Sequence, residues 1–418
     1  MFTHLGRSLS VAAALLAFGV STSVEAEAPA ITLREAISRT LQSNPDLAAY
    51  AYTLKAQDGR ITQSGLRPNP TLSTTVENVL GTGQASAGKY AEITLMLSQV
   101  IELGGLRDRR LDVARRERDG LEADGDIRRL DTIAETARRF VSLASQQEQH
   151  QLTHLAVELA EKTSAAVEKR VAAAKSPLAE RDRAAVALQR AQNDDAHAEH
   201  ELQTARYALA ASWGASKPDF LAASADLYQL PPTRSYDELL GALENTPDLT
   251  RYLSETRLRD AEIALAIAGR RQGFQIGAGV RRLEQTNDTG LVFSFQMPLP
   301  VRDRNQGLIT EAEARREGAA AEREATRVKA RTQLFGYYRE LLDRQRQVGL
   351  IREQALPRME SALANTDYAF ERGRYSYLEL VDAQREMLDL KREAIEAAAQ
   401  YHFNLIEIER LTGTGLSR

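Results

Sequence analysis

Two patterns of apolar and polar positions share this chain. Most of it has helical period, with Ala and Leu recurring at three- and four-residue spacing among Glu, Arg and Gln over long stretches. Proline, the strongest helix breaker, is missing between Pro70 and Pro177, between Pro177 and Pro218, and after Pro357. The run over about 106–171 predicts one continuous helix of roughly 100 Å, at ~1.5 Å per residue. A globular core does not need a helix of that length. Pro357 interrupts the matching run of the second half, where a kink or a junction of two stacked helices is expected.

Four short segments alternate instead. Phe274, Ile276, Ala278 and Val280 interleave with Gln275, Gly277, Gly279 and Arg281, and Leu291, Phe293, Phe295 and Met297 interleave with Val292, Ser294, Gln296 and Pro298. The first half has weaker counterparts: Leu72, Thr74 and Val76 in one segment, Ile93, Leu95 and Leu97 in the other. Polar, Gly-containing loops at 81–89 and 284–290 separate the members of each pair, so the segments read as two hairpins with one apolar face each.

The halves repeat one another at a spacing of about 200 residues, far beyond solenoid periods. Residues 31–50 match 234–253, with Pro45-Asp46-Leu47 and Pro247-Asp248-Leu249 at equivalent places. Ser176, Leu178, Asp182 and Leu188 align with Ser376, Leu378, Asp382 and Leu388. Each half runs helix, two strands, long helical pair. The expected organisation is a first repeat at 27–214, a linker at 215–235 and a second repeat at 236–418. Residues 1–26 read as a signal peptide: Arg7, an apolar core at 11–20, and Val24-Glu25-Ala26 as the cleavage site.

Composition narrows the class. Aromatics are only 6% and charged residues 27%, a balance that favours long helices over a compact mixed fold. A net charge of −4 leaves no basic footprint for nucleic acid. The absence of cysteine excludes disulfides, thiolate metal sites and a lipidated N-terminal Cys. No stretch offers ~18 consecutive apolar residues, so a membrane could be crossed only by strands. Four strands cannot close a barrel and an open edge is forbidden in lipid, so a membrane reading requires several copies to pool strands. The alternative is a soluble four-stranded sheet packed on helices.

The junctions carry a family resemblance. Arg67-Pro68-Asn69-Pro70 leads from helix to strand, and Ser98-Gln99-Val100-Ile101-Glu102-Leu103-Gly104-Gly105-Leu106-Arg107 leads from strand to helix. The second-half counterpart of the latter is Met297-Pro298-Leu299-Pro300-Val301-Arg302-Asp303-Arg304-Asn305-Gln306-Gly307. With the duplicated plan, these resemble the TolC-like outer membrane efflux proteins over nearly the whole chain from Ile31. They are most similar to the branch serving heavy-metal cation pumps of the cobalt-zinc-cadmium type, although Leu106 and Arg302 depart from its usual basic and aromatic residues. The resemblance implies a mainly α fold with a small β part, in which long helical hairpins form a periplasmic tunnel. Four membrane strands per chain would join a trimeric twelve-stranded barrel in outer-membrane lipid. It also implies a homotrimer docked to a periplasmic adaptor and an inner-membrane proton-driven transporter, conducting passively and needing no cofactor.

Tyr375-Ser376-Tyr377-Leu378-Glu379-Leu380-Val381-Asp382-Ala383-Gln384-Arg385 is similar to the family's final hairpin tip. Glu379 and Asp382 share a helix face, just after Arg372 and Tyr375. Threefold repetition would make the acids a cation-focusing ring at the periplasmic entrance, with Arg372 or Tyr375 holding the mouth closed and Asp182 as first-half counterpart. The bland reading is a charged helix start suited to the helix dipole.

Other motifs are weaker. Residues 83–90 nearly form a phosphate loop, but Tyr90 replaces the hydroxyl residue and a strand follows where a helix should begin. His150 and His154, and His197 and His200, have spacings that could share a metal, with no third ligand visible in sequence. No nucleophile elbow, His-Glu-x-x-His or complete phosphate loop supports an enzyme. The rival readings are a channel for drugs or secreted polypeptides and, from another class, a soluble periplasmic coiled-coil adaptor or scaffold.

Overall fold

The computed structural model describes residues 30–415, so the expected signal peptide at 1–26 lies outside the described residues. The first half comprises helices α1 (Leu33–Ser43) and α2 (Pro45–Ser64), strands β1 (Thr71–Glu77) and β2 (Glu92–Ile101), and helices α3 (Leu106–Ala172) and α4 (Leu178–Ala211). The second half repeats the order with α5 (Tyr236–Leu243), α6 (Pro247–Ala268), β3 (Phe274–Leu283), β4 (Asp288–Gln296), α7 (Gln306–Leu350), α8 (Leu356–Glu371) and α9 (Tyr377–Thr412). The duplication extends to the caps. Thr32 with Glu35 and Ser235 with Glu238 form the same reciprocal capping box at the starts of α1 and α5. Pro45 and Pro247 each open the next helix, where a missing N–H costs nothing.

The 67 residues of α3 make it the mast of the molecule. Its early turns meet α2 and α6: Gln57 donates to the Ala114 carbonyl at 2.9 Å, and Arg251 lies 3.6 Å from Asp124. Its later turns meet α4 and α9, where Thr153 donates to Asp195 at 2.8 Å and Gln384 to Thr163 at 2.9 Å. The second mast is α7 and α8 in tandem. Between them lies a π-helical turn, Ile351–Ala355, so the chain stays helical through Pro357. Pro357 cannot donate a helical hydrogen bond, and the wider turn just before it absorbs that loss at the place where a kink or a junction of two stacked helices was expected.

Midway along the bundle, α1, α5 and the segment 212–235 wrap the helices as a belt. Ile31 bridges to Ala223 in parallel, Tyr401 donates to the Pro231 carbonyl, and His402 meets the Leu227 carbonyl at 2.9 Å. Leu143, Leu209 and Phe220 pack in one core cluster beneath this belt, and Leu334, Leu341 and Tyr401 in another.

The four strands form one antiparallel sheet in the order β1-β2-β3-β4, so the two hairpins join through β2 and β3. No helix packs across the sheet among the described residues, which rules out the sheet-on-helix arrangement. The accessible surface of 26878 Å² far exceeds the roughly 16,000 Å² of a compact monomer of this mass. The chain is elongated, with faces left open.

The two hairpin tips use the same left-handed turn. Lys175 N–H bonds the Arg170 carbonyl after Ala174 (φ 56°), and Arg374 N–H bonds the Ala369 carbonyl after Gly373 (φ 74°). The two turns have the same length, so Tyr375 stands where Ser176 does and the N-caps Pro177 and Ser376 correspond. Alanine pays for left-handed backbone where glycine does not. Ala174→Gly is therefore expected to raise unfolding stability by about 0.5–1 kcal/mol and Gly373→Ala to lower it by a similar amount, read from urea midpoints.

Candidate functional site

Two surfaces at opposite ends of the masts carry the functional expectations. The first is the sheet. Its register sets Leu72 opposite Leu97, Val76 opposite Ile93, Leu95 opposite Val280, Ile276 opposite Phe295 and Val280 opposite Leu291. Because side chains alternate, all of these project from one face. Leu72, Leu291, Phe293 and Phe295 are 66–78% exposed there. A water-soluble sheet does not leave such a face bare.

The opposite face is polar. Arg281 bonds Glu92 at 2.9 Å and Thr94 at 3.0 Å and lies 3.8 Å from Glu77, tying β1, β2 and β3 together. Gln275 donates to Ser98 at 2.6 Å. Gly277 and Gly279 also lie on this face, and a Cβ on Gly279 would run into the Leu95 carbonyl. Strands can thus crowd together on the polar side, as a sheet curving toward that side requires. Edges β1 and β4 remain without strand partners in the described chain.

The second surface is the pair of hairpin tips. Val167, Ala184, Phe370, Tyr377 and Leu380 pack in one small core that locks the two hairpins to each other. Arg170 donates to the Phe370 carbonyl at 2.9 Å and stacks on its ring at 4.6 Å. Burial pushes the Tyr377 hydroxyl pKa up, and Arg183 and Glu180 of α4 are close enough to act on it. The starts of α4 and α9 are therefore neighbours, which brings Asp182 to the same end as Glu379 and Asp382.

Their individual settings differ. Glu379 closes a capping box: one carboxylate oxygen accepts from the Ser376 N–H at 2.7 Å and its hydroxyl at 2.9 Å, and the Glu379 N–H returns to the hydroxyl. Asp382 is exposed and in no ion pair. Asp182 pairs with its neighbour Arg181 at 3.1 Å. Arg372 stacks on Tyr368 at 4.3 Å, and Tyr375 is exposed. The structural part of Glu379 was legible in sequence, since Ser-x-x-Glu before an apolar run is a capping signature. The Arg281 network was missed, because nothing in sequence spacing pairs β2 with β3.

Of the weaker motifs, residues 83–88 form a short 3₁₀ turn in the β1–β2 loop, followed by β2 and not by a helix. His150 and His154 lie 3.9 and 3.8 Å from Asp195 of α4, while His197 and His200 are exposed. Among the described residues, no three His, Asp or Glu side chains stand ready to hold a metal. No helix among them is long and apolar enough to cross a membrane.

Known proteins match this architecture. A family model described as outer membrane efflux protein matches residues 36–215 and 240–414. The chain is 30% identical over 394 residues to the cobalt-zinc-cadmium resistance protein CzcC of Cupriavidus metallidurans, spanning 93% of this chain and 91% of that protein. It is 23% identical over 322 residues to the nickel-cobalt-cadmium resistance protein NccC of Alcaligenes xylosoxydans xylosoxydans, spanning 77% and 72%. In fold it is similar to CusC, with a TM-score of 0.74 at 17% identity over 92% of each chain. It is equally similar to the open state of the Neisseria gonorrhoeae MtrE outer membrane channel, at 0.74 and 19% identity over 92% and 90%.

The Glu379 cap has a pH signature. Ser376, first through its N–H and then its hydroxyl, holds the Glu379 carboxyl below its ordinary value of 4.5. A lowered folded pKa means that the cap is fully present above the ordinary value and is lost as pH falls through the folded one. The hydrogen-exchange protection factor at the start of α9, taken relative to the intrinsic rate at each pH, is expected to fall on acidification in the native protein. Glu379→Gln should remove most of that dependence, and Asp382→Asn should leave it in place.

Proposed function

The chain belongs to the outer membrane efflux protein family, and from that premise we propose that it is the outer-membrane channel of a tripartite resistance-nodulation-division efflux system, passing heavy-metal cations from periplasm to exterior. One observation carries the membrane part: a sheet with one continuous, uncovered apolar face, a polar reverse face and two open edges. In lipid such edges must pair, and three copies supply twelve strands for a closed barrel. The apolar face then meets hydrocarbon, and the Arg281–Glu92–Thr94 network lines the lumen.

The helical masts continue the barrel into the periplasm, with the belt of 215–235 between the repeats 27–214 and 236–418. The hairpin tips form the entrance, where an adaptor and a proton-driven inner-membrane transporter deliver cargo. Conduction is passive and requires neither catalysis nor cofactor. The metal-resistance names of the 30% and 23% identical relatives support cations as cargo. Specificity lies mainly in the transporter.

At the tip, the local geometry distinguishes the two acids. The cap fixes Glu379 in place and favours its ionised form, while Asp382 is an exposed charge on the same face held by no such bond. Three copies of Glu379 and Asp382 make the ring that favours cations, and Arg372 and Tyr375 sit at the turn where a neighbouring tip closes the mouth.

In planar bilayers, Asp382→Asn is expected to move the reversal potential in a salt gradient toward that of an unselective pore; an unchanged potential contradicts the ring. A deletion strain is expected to become sensitive to cobalt, zinc or cadmium and to keep its tolerance of organic drugs. The reverse pattern would reassign the cargo.

A further inference from the structure

Where the sheet meets the helices, the charge balance of the chain reverses. Residues 67–70, 99–110, 269–273 and 297–307 hold eight arginines and three carboxylates, whereas the whole chain carries −4. Two of the three carboxylates are in ion pairs and the third holds a backbone amide. Glu102 binds Arg110, Asp108 binds Arg107 at 2.9 Å, and Asp303 accepts from the Asn305 N–H at 2.9 Å. Arg67, Arg270, Arg271, Arg302 and Arg304 are exposed and, among the described residues, in no ion pair. At the other end of the same sheet the arginines are satisfied, Arg281 by Glu92 and Arg282 by Glu284.

Identical neighbours in an oligomer cannot repair this imbalance, because each copy brings the same eight arginines against three carboxylates at that level. The neutralising anion must come from outside the protein. The level itself identifies the source. The apolar row from Phe274 to Val280 runs about 20 Å along the strand at ~3.3 Å per residue, about 15 Å of height at a barrel tilt of ~40°, and so lies within the ~25 Å apolar band of a membrane barrel. The unpaired arginines lie just beyond its helix-side end, at headgroup depth in the periplasmic leaflet.

One cleft there has the shape for a headgroup. It has a volume of about 470 Å³ and is lined by Arg67, Arg107, Gln99 and Ile101, and also by Glu102 and Asp108, which are paired with Arg110 and Arg107. Arg67 comes from the α2–β1 junction and Arg107 from the first turn of α3. Asp108 engages the Nε and Nη2 of Arg107, which leaves its Nη1 free to donate. Gln99 is fixed by its bond to the Pro68 carbonyl at 2.8 Å, so the cleft wall is built. Above it, Ile101, Leu97 and Leu72 continue as exposed apolar surface on which an acyl chain can lie.

We infer that this cleft binds the phosphate of an anionic phospholipid of the periplasmic leaflet between Arg67 and Arg107, the other unpaired arginines forming a phosphate-binding girdle around the barrel base. The inference rests on the channel reading. Guanidinium forks suit phosphate oxygens, and the girdle fixes the depth at which the barrel sits.

The test reconstitutes the full-length protein into phosphatidylcholine vesicles with and without phosphatidylglycerol. Native mass spectrometry then counts the lipid retained after detergent extraction. The native protein is expected to retain phosphatidylglycerol in preference to phosphatidylcholine, and Arg67→Gln with Arg107→Gln to cut that retention roughly tenfold. Arg67→Lys with Arg107→Lys should keep most of it. Should the double glutamine variant fail to assemble, Arg302→Gln with Arg304→Gln, which breaks no ion pair, must lower retention instead. Equal retention of the two lipids by the native channel, or no loss in the variants, overturns the inference. Displacement of the lipid by millimolar inorganic phosphate also overturns it, assigning the site to a soluble anion. These outcomes are read on protein already recovered from the outer-membrane fraction; failure to appear there would strike the channel reading itself.

Discussion

An amide left without a partner in hydrocarbon costs roughly 2–7 kcal/mol, and both β1 and β4 present a whole row of them. That constraint orders the rest of the molecule. The apolar face formed by Leu72, Leu97, Val280 and Phe295 needs lipid, and lipid forbids the open edges that the same sheet carries. Only closure with further copies resolves the conflict. The sheet must also curve, and Gly277 and Gly279 remove side chains on the polar face where β2 approaches β3.

Closure at one end sets the geometry at the other. Each strand pair continues into a helical mast, α3 in the first half and α7 with α8 in the second. A barrel that fixes how the masts enter therefore constrains the tips roughly 100 Å away. The belt around Tyr401 and His402 holds the masts together midway, and the small core of Val167, Phe370 and Tyr377 holds the tips of one chain as a unit. The π-helical turn at Ile351–Ala355 is the one place where the second mast departs from regular α geometry.

Much of this was legible in sequence because it rests on local periodicity. The proline-free run over 106–171 maps onto Leu106–Ala172, and all four alternating segments are strands. The duplicated Pro-Asp-Leu motifs open α2 and α6. What sequence could not supply depends on contacts between distant residues. No spacing rule pairs Leu95 with Val280 or sets Arg281 beside Glu92 and Thr94. At the tip, Glu379 and Asp382 look alike in sequence as acids one turn apart. Hydrogen-bond geometry separates them, since Glu379 is tied to Ser376 and Asp382 is free. At the tips the structure sets the N-cap Ser376 opposite the N-cap Pro177, one residue out of step with the sequence match of Ser176 to Ser376.

The most direct test of the account is the mass of the assembly extracted in detergent from isolated outer membranes. Strand closure predicts a trimer confined to that fraction. A monomer or dimer in the soluble periplasm would contradict it, because the apolar face would then have to be covered without a barrel.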